Sequence, residues 1–156
     1  MSEAAFQVSL LDHGTAAAEV HRLFQRAYTV EAALLQVTDF PPLARTQADI
    51  ESADSEFLGV HGGAGLIAVV ELERAPGQVL IASLVVDPDF FRQGIARNFL
   101  GHVIAACECQ SLVVETATAN LPALKLYQAM GFALDSEHIT GDGIRMARLR
   151  FVGTAD

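Results

Sequence analysis

The sequence predicts one α/β (α+β) domain whose mixed, mostly antiparallel central sheet has six to seven strands and helices on both faces. Two observations predict this fold class. Short apolar runs alternate with turns that contain Gly or Pro, as expected for strands joined into hairpins. From Gly94 onward, between two of these runs, the apolar period changes from two to about 3.6 residues, which indicates a helix connecting two parallel strands.

Size and charge narrow the class of protein. The chain has 156 residues, 51% of them hydrophobic, which suits a single domain over residues 1–156 with a substantial core. The net charge of -9 and the lack of a basic, aromatic-interleaved stripe argue against nucleic acid or an anionic membrane as the main partner. Without a signal-like N-terminus or a long apolar window, the chain is expected to be cytoplasmic.

The two cysteines do not indicate a disulfide or a metal site. Cys107 and Cys109 stand two positions apart in a predicted helix, where their side chains diverge, so reduced thiols are expected. The sequence has no second Cys or His pair at zinc-site spacing. We therefore predict no metal.

The first third of the chain predicts a strand followed by helices. Residues 4–11 alternate as a strand, and Asp12 can begin a helix. The apolar face of that helix consists of Ala17, Val20, Leu23, Phe24 and Ala27. A second, shorter helical piece is expected over 31–37, followed by an irregular or weakly helical segment to Ser55.

Turn signals join the next three strands in antiparallel order. The dipeptide formed by Gly62 and Gly63 adopts positive φ readily and predicts a hairpin. Pro76 and Gly77 fit the two central positions of a type II turn, which predicts a second hairpin. The predicted strands are 56–61, 64–73 and 79–87.

The remaining elements are a helix, a strand, another helix and a closing hairpin. The helix that begins after Gly94 carries one apolar face, and the strand that follows it is expected to run parallel to 79–87. Asn120 is a good N-cap for the next helix, and Gly131 is a natural end. The predicted strands of this part are 111–118, 132–140 and 144–152.

The stretch DPDFFRQGIARNFL, residues 87–100, is the first candidate site. It starts a helix just beyond a parallel strand, where unpaired N–H groups and the positive dipole end suit a phosphate. Gly94 permits close approach, and Arg92 and Arg97 add positive charge. The alternative is that Gly94 only turns the chain and the arginines are solvated. The stretch lacks the glycine patterns of dinucleotide and nucleotide-triphosphate loops.

Together with VVETATANLPALKLYQAMGF, this stretch resembles the GNAT superfamily of acyl-CoA-dependent N-acetyltransferases. The first stretch is similar to the family's pyrophosphate motif, Gln/Arg-x-x-Gly-x-Gly/Ala, through Gly94 and Ala96, with Phe91 where the family usually has Gln or Arg. The second is similar to the motif Asn…Leu-Tyr-x-x-x-Gly-Phe. Its matching residues are Asn120, Leu126, Tyr127, Gly131 and Phe132. The resemblance covers residues 64–152 in detail.

The resemblance implies acetyl-CoA as co-substrate and a fold in which the fourth strand, third helix and fifth strand form the parallel unit. It places the pantetheine arm where the fourth and fifth strands splay apart. The pyrophosphate is expected at the start of the third helix. The implied cofactor-binding residues are Leu84, Val85, Val86, Arg92, Gln93, Gly94, Ile95, Ala96, Arg97, Asn120 and Tyr127.

Acetyl transfer to an amine uses a base for the amine and an acid for the departing thiolate. Tyr127 matches the family's usual general acid, although without the motif it reads as a buried aromatic. Glu115, near the carboxyl end of 111–118, resembles the water-relayed base of members that acetylate protein N-termini. Its alternative is a strand-end carboxylate satisfied by water or a neighbour.

Other polar residues compete for the role of base. Glu71 and Glu73 share one face of 64–73, but the solvated end of a hairpin strand is the favoured interpretation. Ser83 stands on the cofactor-lining strand where some family members carry a glutamate. His61 and His138 are interpreted as loop or strand-end residues.

The leading hypothesis is an N-acetyltransferase that moves an acetyl group from acetyl-CoA to a primary amine by direct attack in a ternary complex. The amine belongs to a small molecule, a protein N-terminus or a lysine. The alternative is a non-catalytic acyl-CoA-binding or regulatory module of the same fold. The substrate is expected to be shaped by residues 24–45 and 138–145, where no motif specifies an amine. A homodimer is a family-level expectation.

Overall fold

A computed structural model of the chain describes residues 7–108 and 110–153. The α-helices of this part are α1 (His13–Leu35), α2 (Gln47–Glu51), α3 (Ile95–Ala106) and α4 (Leu121–Ala129). The strands are β1 (Val8–Leu10), β2 (Glu56–Gly62), β3 (Gly65–Ala75), β4 (Gln78–Val86), β5 (Ser111–Ala117), β6 (Phe132–Ile139) and β7 (Arg145–Phe151). Short 3₁₀ helices cover Pro41–Ala44 and Pro88–Phe90. The predicted order of elements is confirmed, and the start of the strand predicted at 4–11 lies outside the described residues.

The described strands form one mixed sheet in the order β1-β2-β3-β4-β5-β7-β6. All neighbours are antiparallel except β4 and β5, which are parallel, as the helix between them predicts. The turn at Pro76 and Gly77 joins β3 to β4, and Gly77 has the positive φ of 74° that a type II turn needs. The predicted mixed, mostly antiparallel sheet is confirmed.

Helices cover both faces of the sheet. On one face, α1 and α2 bury Leu23, Phe24 and Ile50 against β2, β3 and β4, including Phe57 and Val69. On the other face, the apolar side of α3 and part of α4 pack on a larger cluster. The helical residues of that cluster are Ile95, Phe99, Leu100, Val103 and Tyr127, and Cys107, directly after α3, belongs to it as well. The two predicted helical faces are therefore the faces that build the core.

The prediction of a second, separate helical piece over 31–37 is wrong. A single helix, α1, runs through this region to Leu35, because no Gly or Pro interrupts it and Tyr28 and Ala32 continue its packed side. Gln36 ends the helix in the left-handed conformation with φ 58°. The extra turns matter because they carry Tyr28 and Glu31 to the sheet edge where the site lies.

The segment between α1 and β2 is more ordered than the prediction of an irregular or weakly helical stretch. Pro41 and Pro42 begin a 3₁₀ turn, and Thr46 caps α2 through a reciprocal pair of hydrogen bonds with Asp49. Cys107 is a buried free thiol, whereas Cys109 lies outside the described residues. In the described ranges, no helix has the length and apolar character needed to cross a membrane.

The parallel pair opens toward its carboxyl end. Paired residues run from Gln78 with Ser111 to Ile81 with Val114, and both strands then continue without pairing to each other. Each strand remains paired on its other side, β4 with β3 and β5 with β7. The opening therefore exposes backbone N–H and C=O groups of both strands inside the sheet, where a ligand with amide groups can bind them.

Candidate functional site

Three connected cavities follow the opening between β4 and β5. The acceptor cavity, about 290 Å³, is lined by Tyr28, Glu31, Ser83, Glu115, Asn120 and Tyr127, among others. The middle groove, about 460 Å³, shares Glu31, Leu84 and Asn120 with it. The helix-end groove, about 420 Å³, continues from the middle groove past Leu84, Val86 and Arg92 to the start of α3. The three form one path from the sheet interior to a helix N-terminus.

The helix-end groove has the features of an anion site. Gly94 precedes α3 with φ 76°, and an added Cβ there meets nothing within 4 Å, so the backbone is open to a ligand. The first N–H groups of α3, from Ile95 onward, have no acceptor within the helix. Arg92 and Arg97 line the groove, and no carboxylate does so among the described residues. This local charge contrasts with a chain of net charge -9.

Arg92 and Phe91 shape the loop before α3. Arg92 adopts a left-handed φ of 64°, which is uncommon for a residue with a side chain and bends the loop tightly ahead of Gly94. Phe91 is 44% exposed and lines both the middle and the helix-end grooves. Phe91 therefore presents an apolar surface to the groove at the motif position where the family usually has Gln or Arg.

An ion pair ties this loop to α1. The buried carboxylate of Asp87 accepts hydrogen bonds from Arg26 at 3.2 and 3.0 Å and from the backbone N–H of Asp89 at 2.9 Å. The Arg26 hydrogen bond holds the pKa of Asp87 below its ordinary value, with burial acting in the opposite direction. The loop that carries Arg92 is thus anchored to α1, and α1 also forms one wall of the middle groove.

The predicted cofactor residues lie along this path. Leu84, Val85 and Val86 line the middle groove, and Ile95, Ala96 and Arg97 line the helix-end groove. Gln93 is exposed in the loop between them. Asn120 lies between the acceptor cavity and the middle groove, and its side-chain oxygen caps α4 by accepting from the N–H of Ala123 at 3.3 Å. Its side-chain NH₂ therefore remains available as a donor.

Tyr127 is the buried phenol of the acceptor cavity. Only 5% of the residue is exposed, and its ring packs edge-on against Phe132 at 5.7 Å between centroids. In the described part of the chain its hydroxyl makes no hydrogen bond, although it lines the cavity. Burial raises the pKa of Tyr127 well above its ordinary value, so the phenol keeps its proton at neutral pH.

Glu115 also lines the acceptor cavity. It lies opposite Arg148 across the β5–β7 pair, and its Oε2 accepts a hydrogen bond from Arg148 at 3.0 Å. Its side chain is 31% exposed, so water reaches it. The ion pair leaves further lone pairs of the carboxylate directed to other donors. The two residues predicted to act as acid and base, Tyr127 and Glu115, thus border one cavity.

The interpretation of Glu71 as a solvated strand end is wrong. Glu71 lies on the same strand face as Val69, on the side of the sheet that α1 and α2 cover, and it is 3% exposed. Arg45 donates to its two oxygens at 2.7 and 2.8 Å, and Ser55 and Ser83 donate as well. Burial raises the pKa of Glu71, but these hydrogen bonds outweigh it and lower the net pKa. Glu73 is exposed, as expected.

This buried ion pair is expected to support the fold strongly. Removing the charge of Arg45 by Arg45→Met leaves the Glu71 carboxylate unpaired in the interior, so the free energy of unfolding should fall by about 3 kcal/mol. Arg74→Met is the matched control, because Arg74 pairs with Glu56 at the surface and its loss should cost less than about 0.5 kcal/mol. Urea unfolding followed by circular dichroism measures both, and equal losses in the two variants would contradict the assignment.

Tyr28 and Glu31 are among the residues of the acceptor cavity that were not singled out from the sequence. Tyr28 and Glu31 lie on α1 within the range 24–45 that was expected to shape the substrate site. The helical spacing of Tyr28 from Phe24 is the signal that could have found the first, since it continues the packed face. Burial raises the pKa of both residues, that of Tyr28 to about 12.

The fold and this site define a class of protein: a domain in which a groove that ends at a helix N-terminus joins an adjacent cavity between two splayed parallel strands. The chain belongs to the acetyltransferase (GNAT) domain family, whose family model matches residues 26–152. The resemblance drawn from the two sequence motifs is confirmed.

Relatives and solved structures agree with this membership. The chain is 34% identical over 128 residues to the UPF0157 protein YqkA of Bacillus subtilis, covering 80% of this chain but only 37% of that protein. It is 27% identical over 112 residues to the N-alpha-acetyltransferase RimI of Mycobacterium tuberculosis, covering 69% and 71% of the two chains. The crystal structure of the ribosomal-protein-S18-alanine N-acetyltransferase from Escherichia coli has the same fold, with a TM-score of 0.75, 21% identity and coverage of 97% and 96%.

Proposed function

We propose that the chain transfers an acetyl group from acetyl-CoA to a primary amine, with both substrates bound together. The observation that carries the proposal is the buried Tyr127, whose hydroxyl lines a cavity continuous with the groove that ends on α3. A module that only binds acyl-CoA needs the groove but has no use for a protonated phenol in the adjoining cavity. The continuity of cavity and groove favours catalysis over the binding module.

The chain offers a fitting site for acetyl-CoA along the grooves. The N–H groups at the start of α3 and the side chains of Arg92 and Arg97 would hold the pyrophosphate. The unpaired edge of β4 near Leu84 and the NH₂ of Asn120 would bind the amides of the pantetheine arm. When bound, acetyl-CoA supplies the acetyl group as a reactive thioester. These residues fix its position next to the acceptor cavity, and such orientation contributes much of the rate.

Tyr127 and Glu115 are assigned the proton transfers. Tyr127 keeps its hydroxyl proton at neutral pH and gives it to the departing sulfur. Glu115 takes a proton from the amine through water, since its carboxylate borders the cavity, is partly exposed and is held in place by Arg148. Glu71 is unsuited to act as base because its two oxygens already accept four hydrogen bonds from Arg45, Ser55 and Ser83.

Protein N-termini are the substrate class that we favour. Two similar proteins are named for N-terminal or ribosomal-protein alanine acetylation. The described wall of the acceptor cavity contains the carboxyl groups of Glu31, Glu115 and Asp142 and no Lys or Arg, which suits a positively charged amino group before it loses its proton. Small amines share this charge and are the competing class.

Release of free coenzyme A thiol tests the proposal. We expect thiol release from acetyl-CoA with short peptides that have a free N-terminus, and less release with polyamines, amino acids or free lysine side chains. The same peptides with a blocked N-terminus are the control. Tight acetyl-CoA binding by calorimetry without thiol release for any amine would instead support the acyl-CoA-binding module.

A further inference from the structure

We propose that the hydroxyl of Tyr28 receives an N–H of the substrate amine in the acceptor cavity, and that Ser83 and Glu71 fix this hydroxyl as a hydrogen-bond acceptor. The inference rests on the proposed function, because it assigns a residue for holding the amine. It depends on a chain of hydrogen bonds that runs from the cavity wall into the core. Tyr28 and Ser83 both line the cavity, whereas Glu71 lies behind them in the core.

The direction of the hydrogen bonds follows from the charge at the buried end. Glu71 is held as a carboxylate by Arg45, and a carboxylate only accepts. The contact of 3.1 Å between Ser83 Oγ and Glu71 Oε1 therefore uses the one proton of Ser83. Ser83 Oγ must then accept in its contact of 3.1 Å with the Tyr28 hydroxyl, which uses the one proton of Tyr28. Only lone pairs remain on the Tyr28 oxygen.

The surroundings hold this arrangement in place. The Tyr28 ring packs edge-on against Phe24 at 5.5 Å and Phe40 at 5.9 Å, so the hydroxyl has little freedom to turn away. Burial raises the pKa of Tyr28 to about 12, so the phenol does not ionise near neutral pH. Its hydroxyl proton therefore remains in the hydrogen bond to Ser83. Loss of the Ser83 hydroxyl would leave that proton without its acceptor and free to turn toward the cavity.

The two tyrosine hydroxyls of the cavity therefore have opposite hydrogen-bonding roles toward a ligand. Tyr127 has a hydroxyl proton that no described residue accepts, so it can donate to the ligand. Tyr28 has its proton engaged and can only accept. A bound amine is a donor, and it fits beside Tyr28 and the Glu31 carboxylate, one helical turn further along α1. Ser83 and Glu71 act as positioning residues in this scheme.

Kinetics of three variants test the assignment, with the preferred peptide as the amine. Tyr28→Phe keeps the ring and removes the acceptor, so the KM for the amine should rise about 5- to 10-fold while kcat stays within about twofold. Ser83→Ala should give the same pattern, because the freed proton of Tyr28 then points at the amine. Ser83→Thr keeps the hydroxyl and should restore the KM. The double variant Tyr28→Phe with Ser83→Ala should be no worse than either single variant.

Binding measurements separate this inference from the proposed function. Calorimetry of the peptide amine with the coenzyme A-loaded protein should show affinity weakened by the same factor in Tyr28→Phe, with coenzyme A affinity unchanged. Weakened binding in a protein whose wild type releases no thiol would support the Tyr28 assignment and overturn acetyl transfer. Unchanged amine affinity and KM in Tyr28→Phe would overturn the assignment, as would a Ser83→Ala variant that loses kcat alone or is not restored by threonine.

Discussion

Replacing Tyr127 by phenylalanine is expected to lower the kcat of acetyl transfer by about 100-fold, in the range typical of a positioned general acid. The variant keeps the ring that packs on Phe132 and removes only the hydroxyl. Because that hydroxyl makes no hydrogen bond to any described residue, its loss breaks no contact of the fold. The free energy of unfolding and the affinity for acetyl-CoA should therefore change little.

The measurement is single-turnover thiol release with the enzyme in excess over acetyl-CoA and the amine at saturating concentration, which reports the chemical step rather than product release. Tyr28→Phe is the matched control, since it removes the other phenol of the same cavity and is expected to act on KM instead. Full activity of Tyr127→Phe under single-turnover conditions would show that the proton comes from another donor, such as water.

Changing Gly94 to aspartate is expected to weaken acetyl-CoA binding by 100-fold or more. The left-handed φ of 76° strains any side chain, and the aspartate would project into the open space above the backbone and bring negative charge to the pyrophosphate. Gly77→Asp is the matched control, because Gly77 has φ 74° and equally open space but lies in the turn at the opposite end of β4.

Calorimetry measures the affinity of both variants for acetyl-CoA. Thermal unfolding measures the loss of stability that backbone strain causes in each of them. We expect Gly77→Asp to retain wild-type affinity with a similar loss of stability. Comparable affinities in the two variants would show that the pyrophosphate does not lie at the start of α3.

The parts of the fold that could be predicted are those set by local sequence signals. The turn at Pro76 and Gly77 and the change of period at Gly94 fix β3, β4, α3 and β5 from neighbouring residues alone. The end of α1 was mispredicted because the segment after Ala27 has only a weak apolar period. Its continuation depends on packing of Tyr28 against Phe24 and Phe40, and Phe40 lies beyond the helix.

Sequence motifs pointed to the residues along the grooves and to Glu115, Asn120 and Tyr127 of the acceptor cavity, but not to the polar core behind that cavity. Residues 84–86 and 92–97 follow from motifs that are contiguous in sequence. The polar core of the acceptor cavity joins residues far apart in the chain, such as Tyr28 with Ser83 and Arg45 with Glu71, across 55 and 26 positions. Glu71 is buried because Arg45 covers it on the α1 side of the sheet, and no local pattern of polar and apolar residues along β3 specifies that distant partner.

The opening between β4 and β5 has a mechanical consequence. Within the described residues, four residue pairs join the half of the sheet formed by β1 to β4 to the half formed by β5, β7 and β6, from Gln78 with Ser111 to Ile81 with Val114. All four pairs lie at the end away from the grooves, so β4 and β5 are hydrogen-bonded at that end and separate at the other. A ligand that bonds to both strands bridges the open end, and its binding energy then adds to the cohesion of the two halves. A ligand bound in the groove would therefore raise the free energy needed to separate the two halves of the sheet, and separating the halves would weaken ligand binding.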